Sequence, residues 1–228
     1  MTIQNVKLIV FDLDGTIADT APDIRANVNE TLNKWGLSPY TLDEVKGFVG
    51  NGAKVFAQRV LLGRATELKS LGISNNAQDL DLLERFYADH MSFYKTNDNA
   101  NTVLYDGVYH FLESSNVPLA LYTNKPGVPT ERLLDHFAIG KFFFKVLHAD
   151  NVARHKPDPV GLEEIMREAD VSPDQTLMVG DGMPDIVVAK AVGCRSVALL
   201  QGNTKETELR SLNPDWVVPT FADFLALL

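Results

Sequence analysis

The stretch "VKLIVFDLDGT", residues 6–16, decides how the rest of the chain is read. Val6 to Phe11 is a short, apolar run rich in branched side chains, the pattern of a strand buried on both faces. It ends in Asp12, Asp14 and Gly15, so a buried strand runs straight into concentrated negative charge. Taken alone, these residues read as a polar turn, because Asp, Gly and Thr all favour turns. If extended geometry persists past Phe11, however, Asp12 and Asp14 point the same way and form a pair.

Further along, "VPLALYT" (117–123), "QTLMVG" (175–180) and "CRSVALL" (194–200) repeat the buried-strand pattern, with "FFFKVLH" (142–148) and "DWVV" (215–218) as weaker candidates. Between them lie helical segments at 128–137, 158–169 and 183–193, the last stopped by Gly193. Strands alternating with helices predict an α/β fold with a doubly wound parallel sheet covered on both faces. Ligands of such sheets bind beyond the carboxyl ends of the strands.

Residues from about Thr20 to Asp98 have no convincing strand and show helical periodicity at 23–36, 53–63 and 80–94. This predicts a small helical insertion at 19–98 within a core made of 1–18 and 99–228. Turn signals "DTAPD" and "TNDNANT" mark its boundaries, and Asp19 or Thr20 is expected to cap its first helix, with Pro22 in the first turn.

Composition narrows the function classes. Lys and Arg number 21 and Asp and Glu 30, a formal charge of −9, which disfavours general attraction to nucleic acid or an anionic membrane. Cys194 is the single cysteine, so no internal disulfide is possible, and no Cys/His grouping has zinc-ligand spacing. The first residues lack a basic leader with a long apolar stretch, and no apolar run approaches the ~18 residues of a membrane span. A cytoplasmic protein, monomer or homodimer, is expected. "GNG" (50–52) and "GDG" (180–182) lack the third glycine of a dinucleotide fingerprint, and neither a phosphate-cradling Gly-Lys-Ser/Thr loop nor a Gly-x-Ser-x-Gly turn is present.

Four polar signals then fall, in order, at strand ends or in adjacent loops: "DLDGT" (12–16), Thr123, Lys156 and "GDGMPD" (180–185). Singly, Thr123 reads as a strand-end hydroxyl, Lys156 as a solvated loop lysine beside prolines, and Asp181 with Asp185 as a turn and a helix cap. Together their order and type resemble the four motifs of the haloacid dehalogenase superfamily over nearly the whole chain.

That resemblance implies a Mg²⁺-dependent phosphomonoester hydrolase. It assigns Asp12 as the nucleophile that forms an aspartyl phosphate, and Asp14 as general acid and then general base. Thr123, Asn124 and Lys156 would hold the phosphoryl group. Mg²⁺ would be held by Asp12, the backbone carbonyl of Asp14, and Asp181, with Asp185 as a ligand or as an anchor behind one. Both nucleophile and phosphate are anions, so the reaction needs positive charge close to the transferring oxygens.

Within the superfamily, "TAPDIRANVNETLNKWGL" (20–37), "VGNGAKVFAQRVL" (49–61) and "TNKP" (123–126) resemble phosphoglycolate phosphatases, and the insertion resembles a small helical cap. Gly52 before a helical stretch offers backbone N–H groups at a positive helix end, with Lys54 nearby, which suits a small carboxylate such as that of 2-phosphoglycolate. The same stretch also reads as a plain interhelix turn with a solvated Lys54. Arg59 reads as a surface or packing residue. Gly182 and Pro184 stand where the subgroup commonly has Ser and Asn, a departure that touches the support around the metal and the exact substrate.

Three further readings share these residues. A β-phosphoglucomutase-like enzyme or a pyrophosphatase would differ mainly in the cap. A catalytically silent phospho-ligand or protein-binding module would be expected to have lost Asp12, Asp14, Lys156 or Asp181, and all four are present. Closure of the insertion would hinge near 18–21 and 97–101.

Overall fold

Alternate residues of the first strand feed different cores, and this brings the strand's end, with Asp12, to the middle of a sheet. In the computed structural model, which describes residues 2–73 and 79–228, Ile9 and Phe11 pack with Val108, Leu112, Leu133 and Phe221. Leu8 and Val10 pack on the other face with Leu162, Ile165, Val188 and Ala189. The period of two continues in the neighbouring strand, where Leu119 and Leu121 join the first core and Ala120 and Tyr122 the second.

The strands are β1 (Leu8–Phe11), β2 (Ala18–Asp19), β3 (Val103–Leu104), β4 (Leu119–Tyr122), β5 (Lys145–Leu147), β6 (Thr176–Gly180), β7 (Arg195–Leu199) and β8 (Trp216–Val218). Six of them form one sheet in the order β5-β4-β1-β6-β7-β8, every pair parallel. Phe11 lies opposite Leu121 of β4 and Val179 of β6, so the three strands end together at Asp12, Thr123 and Asp181. The order reverses beside β1, the position where parallel sheets open a crevice for ligands. The weaker candidates at 142–148 and 215–218 are the edge strands β5 and β8.

The helices are α1 (Ala21–Lys34), α2 (Leu42–Lys46), α3 (Ala53–Gly63), α4 (Ala65–Ser70), α5 (Leu80–Tyr94), α6 (Val108–Ser114), α7 (Gly127–His136), α8 (Val160–Ala169), α9 (Met183–Val192), α10 (Glu206–Ser211) and α11 (Phe221–Leu225). Helices α1 to α5 share an apolar core of their own, in which Val28 and Leu32 of α1 meet Val60 and Leu61 of α3 and Leu82 and Phe86 of α5. The part of the expected helical insertion at 74–78 lies outside the described residues.

Two chain crossings join this helical unit to the sheet. They form the short antiparallel ribbon of β2 and β3, too brief to leave a periodic signature in the sequence. Asp23, in the first turn of α1, accepts hydrogen bonds from Asn101 N–H at 3.1 Å, the Asn101 amide at 2.9 Å and the Thr102 hydroxyl at 2.6 Å. One buried carboxylate thereby ties the outgoing crossing to the returning one. Asp19 Oδ1 accepts from Ala21 N–H at 3.2 Å, whereas the Thr20 hydroxyl turns away from the helix and donates to Asp14.

Among the described residues, no helix is long and apolar enough to cross a membrane.

Candidate active site

Strand β1 stops at Phe11, so the expected extension to Asp14 does not occur, yet Asp12 and Asp14 line the same cavity. The turn between them is permitted by Gly15, whose φ is +83°; a Cβ there would sit 2.3 Å from Asp181 Oδ2. Only glycine allows both the left-handed backbone and the close approach of the neighbouring carboxylate.

The sheet end gathers three carboxylates. One oxygen each of Asp12, Asp181 and Asp185 lies within 4.8 Å of the others, and all three residues are buried. Asp181 accepts from the Thr16 hydroxyl at 2.9 Å and Asn203 N–H at 2.7 Å, and Asp185 from Gly182 N–H at 2.9 Å. Gly182 and Pro184 bring no side-chain donor here, so Asp185 is oriented by this backbone amide and by Lys156.

Lys156 donates to Asp185 Oδ1 and to the Tyr122 carbonyl, both at 2.6 Å, and lies 3.0 Å from Asp12 Oδ1. That last contact is a charge pair without hydrogen-bond alignment, for Asp12 Oδ1 is buried with no hydrogen-bond partner. Burial pushes the Lys156 ammonium down, but Asp12 and Asp185 outweigh it, and the group stands above its ordinary value.

The same accounting leaves the carboxylates under-neutralised. Burial, with the charges of Asp12 and Asp185, pushes Asp181 well above the usual carboxylate range. Burial also raises Asp185, against the pull of Lys156 and with the push of Asp12. Three carboxylates facing one lysine, with one oxygen unpartnered, fit a hard, oxygen-seeking divalent cation. Asp12, Asp181 and Asp185 would hold it. The Asp14 carboxylate is not in this cluster.

Asp14 belongs to a second charge centre. Its Oδ1 accepts from the Thr20 hydroxyl and from Lys125 Nζ, both at 2.7 Å. Lys125 also donates to the Tyr94 hydroxyl at the end of α5. Burial opposes the charge on Lys125, and Asp14 and Tyr94 overcome it, so this ammonium too stands above its ordinary value.

Thr123, at the end of β4, lines the cavity, and its Oγ1 accepts from Lys125 N–H at 3.2 Å. Asn124 lines it as well, but its amide is occupied: Nδ2 donates to the Lys156 carbonyl at 3.0 Å and the Gly50 carbonyl at 3.3 Å, and Oδ1 accepts from Lys156 N–H at 2.9 Å. Asn124 therefore positions Lys156 and ties the sheet to the loop before α3.

On the helical side the structure separates two expected residues. Gly52 is on the cavity wall with Gly50 and Ala53. Lys54 is not; it is exposed, paired with Glu84 at 2.7 Å and set over the Tyr87 ring at 5.6 Å. One step along the first turn of a helix rotates the side chain by about 100°, enough to carry Lys54 out to solvent. Arg59 packs as expected of a structural residue, donating to the Phe48 carbonyl at 2.9 Å and Asn51 Oδ1 at 2.8 Å and so bracing the loop at 48–52.

Lys125, Tyr94 and His90 also line the cavity; Lys125 falls within the TNKP stretch with no role assigned to it, and no motif includes the other two. A lysine between Asn124 and Pro126 reads as a loop residue. The signal that does point to the other two is the spacing of Phe86, His90 and Tyr94, an aromatic stripe at i, i+4 and i+8 that marks an inward helix face. The enclosed part of the cavity is small, about 40 Å³, more than the roughly 10–15 Å³ that one water needs.

These features meet their counterparts in known proteins. The chain is similar to a phosphoglycolate phosphatase of Vibrio parahaemolyticus serotype O3:K6, 33% identical over 100% of this chain and 98% of that one. It is also similar to a phosphoglycolate phosphatase of Pseudomonas putida, 37% identical over 97% of this chain and 78% of the relative. The crystal structure of a predicted phosphoglycolate phosphatase from Haemophilus somnus 129PT matches its fold with a TM-score of 0.87, 29% identity and 99% of both chains covered. A family model described as haloacid dehalogenase-like hydrolase matches residues 9–199, and with the acidic sheet end and the relatives agreeing along the whole chain, the protein belongs to the haloacid dehalogenase-like hydrolase family.

Proposed function

We propose that the chain is a phosphatase that hydrolyses small phosphate monoesters, with 2-phosphoglycolate as its substrate, through a phosphoryl group carried on Asp12. The observation that carries this reading is the division of partners between two carboxylates that line one cavity: Asp12 pairs with Lys156 beside the acidic cluster, and Asp14 pairs with Lys125. A second carboxylate beside the nucleophile, held by a cation of its own, is placed to give and take protons at the leaving group and at the attacking water.

Asp12 attacks phosphorus through a carboxylate oxygen and displaces the alkoxide. Lys156 neutralises the nucleophile and the incoming phosphate, and the Thr123 hydroxyl holds a phosphoryl oxygen. Asp14 gives its proton to the leaving alkoxide and then takes one from the water that cleaves the acyl phosphate. Asp12, Asp181 and Asp185, with the backbone carbonyl of Asp14, would hold Mg²⁺, which would supply the positive charge that lets two anions approach.

The helical unit at 19–98 acts as a cap over the core at 1–18 and 99–228, contributing the wall made by Gly50, Gly52, His90 and Tyr94. Family membership and the relatives named phosphoglycolate phosphatase support the substrate, and the uncapped start of α3 supports a carboxylate at its far end. The buried, single Cys194 agrees with a reducing cytoplasm.

The deciding experiment measures phosphate release from 2-phosphoglycolate, methyl phosphate, glucose phosphates and pyrophosphate, with Mg²⁺ and after chelation. Release from 2-phosphoglycolate that is abolished by chelation is expected. Isomerised sugar phosphate, or preference for pyrophosphate, would replace the reading with one of those activities.

A further inference from the structure

His90 is a buried side chain without a job in the chemistry described above. It sits on α5, 1% exposed, with its ring stacked between Phe56 at 5.4 Å and Tyr94 at 5.4 Å. Its Nδ1 is buried and has no hydrogen-bond partner. Leaving a buried polar atom unpaired is costly, and His90 lines the same cavity as Asp12 and Asp14.

The wall around it has a consistent character. Ile24, Val49 and Phe56 are apolar. The start of α3, at Gly52 and Ala53, has no side-chain cap on its first N–H groups. Lys125 spends donors on Asp14 and Tyr94, and an ammonium has three. The Tyr94 hydroxyl is already engaged by Lys125. This end of the cavity therefore presents donors set in an apolar wall, which suits a ligand group that only accepts, namely a carboxylate. The expected cation for that role, Lys54, points to solvent.

We propose that His90 is the specificity-determining residue of the cavity, its imidazole N–H donating to the substrate's carboxylate beside the start of α3 and the remaining donor of Lys125. The inference rests on the phosphatase reading and deepens it. Burial, aided by the charge of Lys125, pushes His90 down to about 4, so at neutral pH the ring is uncharged and keeps one N–H to donate. A neutral donor in an apolar wall favours a short acid and rejects esters whose far end is bulky or needs an acceptor.

The test compares kcat/KM for 2-phosphoglycolate and for methyl phosphate, which has the same phosphate and no carboxylate, in the full chain with Mg²⁺. His90→Phe keeps an aromatic ring in the stack and removes the donor. The ratio of the two kcat/KM values is expected to fall about tenfold or more, the size of a lost hydrogen bond to a charged group. His90→Gln restores a donor and is expected to recover part of the ratio. If the Phe variant does not fold, His90→Met carries the same comparison. A ratio unchanged within about twofold of wild type in the Phe or Met variant overturns the role of His90. No preference of the wild type for 2-phosphoglycolate overturns it as well, and absence of phosphate release from either ester by the wild type refutes the phosphatase reading itself.

Discussion

Lys156 and Lys125 are both buried, and both owe their charge to carboxylates, but they are held in different ways. Lys156 is enclosed by the sheet: its partners are Asp12, Asp185 and the Tyr122 carbonyl, all from the α/β core. Lys125 bridges the two parts of the molecule, with Asp14 from the core on one side and Tyr94 from the helical unit on the other. The first arrangement is built from side chains and a carbonyl of the core. The second is complete only when α5 lies against the sheet, so the surroundings of Asp14 depend on where the helical unit sits. The proposed nucleophile thus has a cation held by the core alone, and the proposed acid–base residue has one shared with the helical unit.

The severest way to break this comparison is Asp12→Asn. It leaves size and fold intact, and kcat is expected to drop by about 10⁴-fold or more, as for other lost nucleophiles. Phosphate release at wild-type rate with an unchanged circular dichroism spectrum would transfer the role of nucleophile elsewhere.

Next in size is Lys156→Met. Removing one partner of a buried ion pair leaves uncompensated charge and costs about 3–5 kcal/mol. Here Asp12, Asp185 and the nearby Asp181 would face one another without a lysine. Urea unfolding in the presence of a chelator is expected to show that loss, and added Mg²⁺ is expected to return part of it by binding the folded form. Equal losses with and without Mg²⁺ would count against a cation at the three carboxylates.

The helical side is sharpened by pH. His90 is held near 4 by burial first and by Lys125 second, against 6.5 for a free side chain. Between those values the unfolded chain binds a proton that the folded chain refuses, so this contribution to stability is complete above about 6.5 and declines as pH falls through the window. The full shift corresponds to about 3 kcal/mol. His90→Phe is expected to flatten this part of the stability–pH curve, measured by urea midpoints from pH 7 to pH 4.5. An identical slope in the variant would place the acid sensitivity on other groups.

The same contrast explains how much of the molecule is legible in its amino-acid sequence. β1, β4, β6 and β7 are legible because strands buried on both faces must be apolar at every position, a pattern nothing else in the chain imitates. Asp12 and Asp181 are legible because they lie just beyond the carboxyl ends of β1 and β6, and Lys156 because it lies in the loop after β5 on the same side. Contacts made across the two parts are not. Lys125, in a loop, has a partner 31 residues upstream on α5, and no local pattern encodes that distance. Thr20 reads as a helix cap because its own neighbours say so, yet its hydroxyl finds Asp14. Lys54 reads as a ligand because Gly52 is close by in the chain, and helical rotation carries it away from the cavity wall.

Tyr94→Phe tests the bridging contact alone and is the smallest of these changes. The ring stays, so the stack on His90 and the apolar core of the helical unit are retained, and only the hydroxyl that receives Lys125 is lost. A hydrogen bond to a charged group is worth about 1.5 kcal/mol at the low end, which corresponds to roughly tenfold in a rate or an equilibrium. Lys125 keeps Asp14, so the ammonium stays paired and the fold is expected to hold. What changes is the tie between α5 and the acid–base residue. A fall of up to about tenfold in kcat/KM for 2-phosphoglycolate is expected, because Asp14 then has a less firmly held cation beside it. Should Tyr94→Phe leave kcat/KM for 2-phosphoglycolate within about twofold of wild type, Tyr94 would be a packing residue, and the two lysines would differ in location without differing in what they do for the carboxylates.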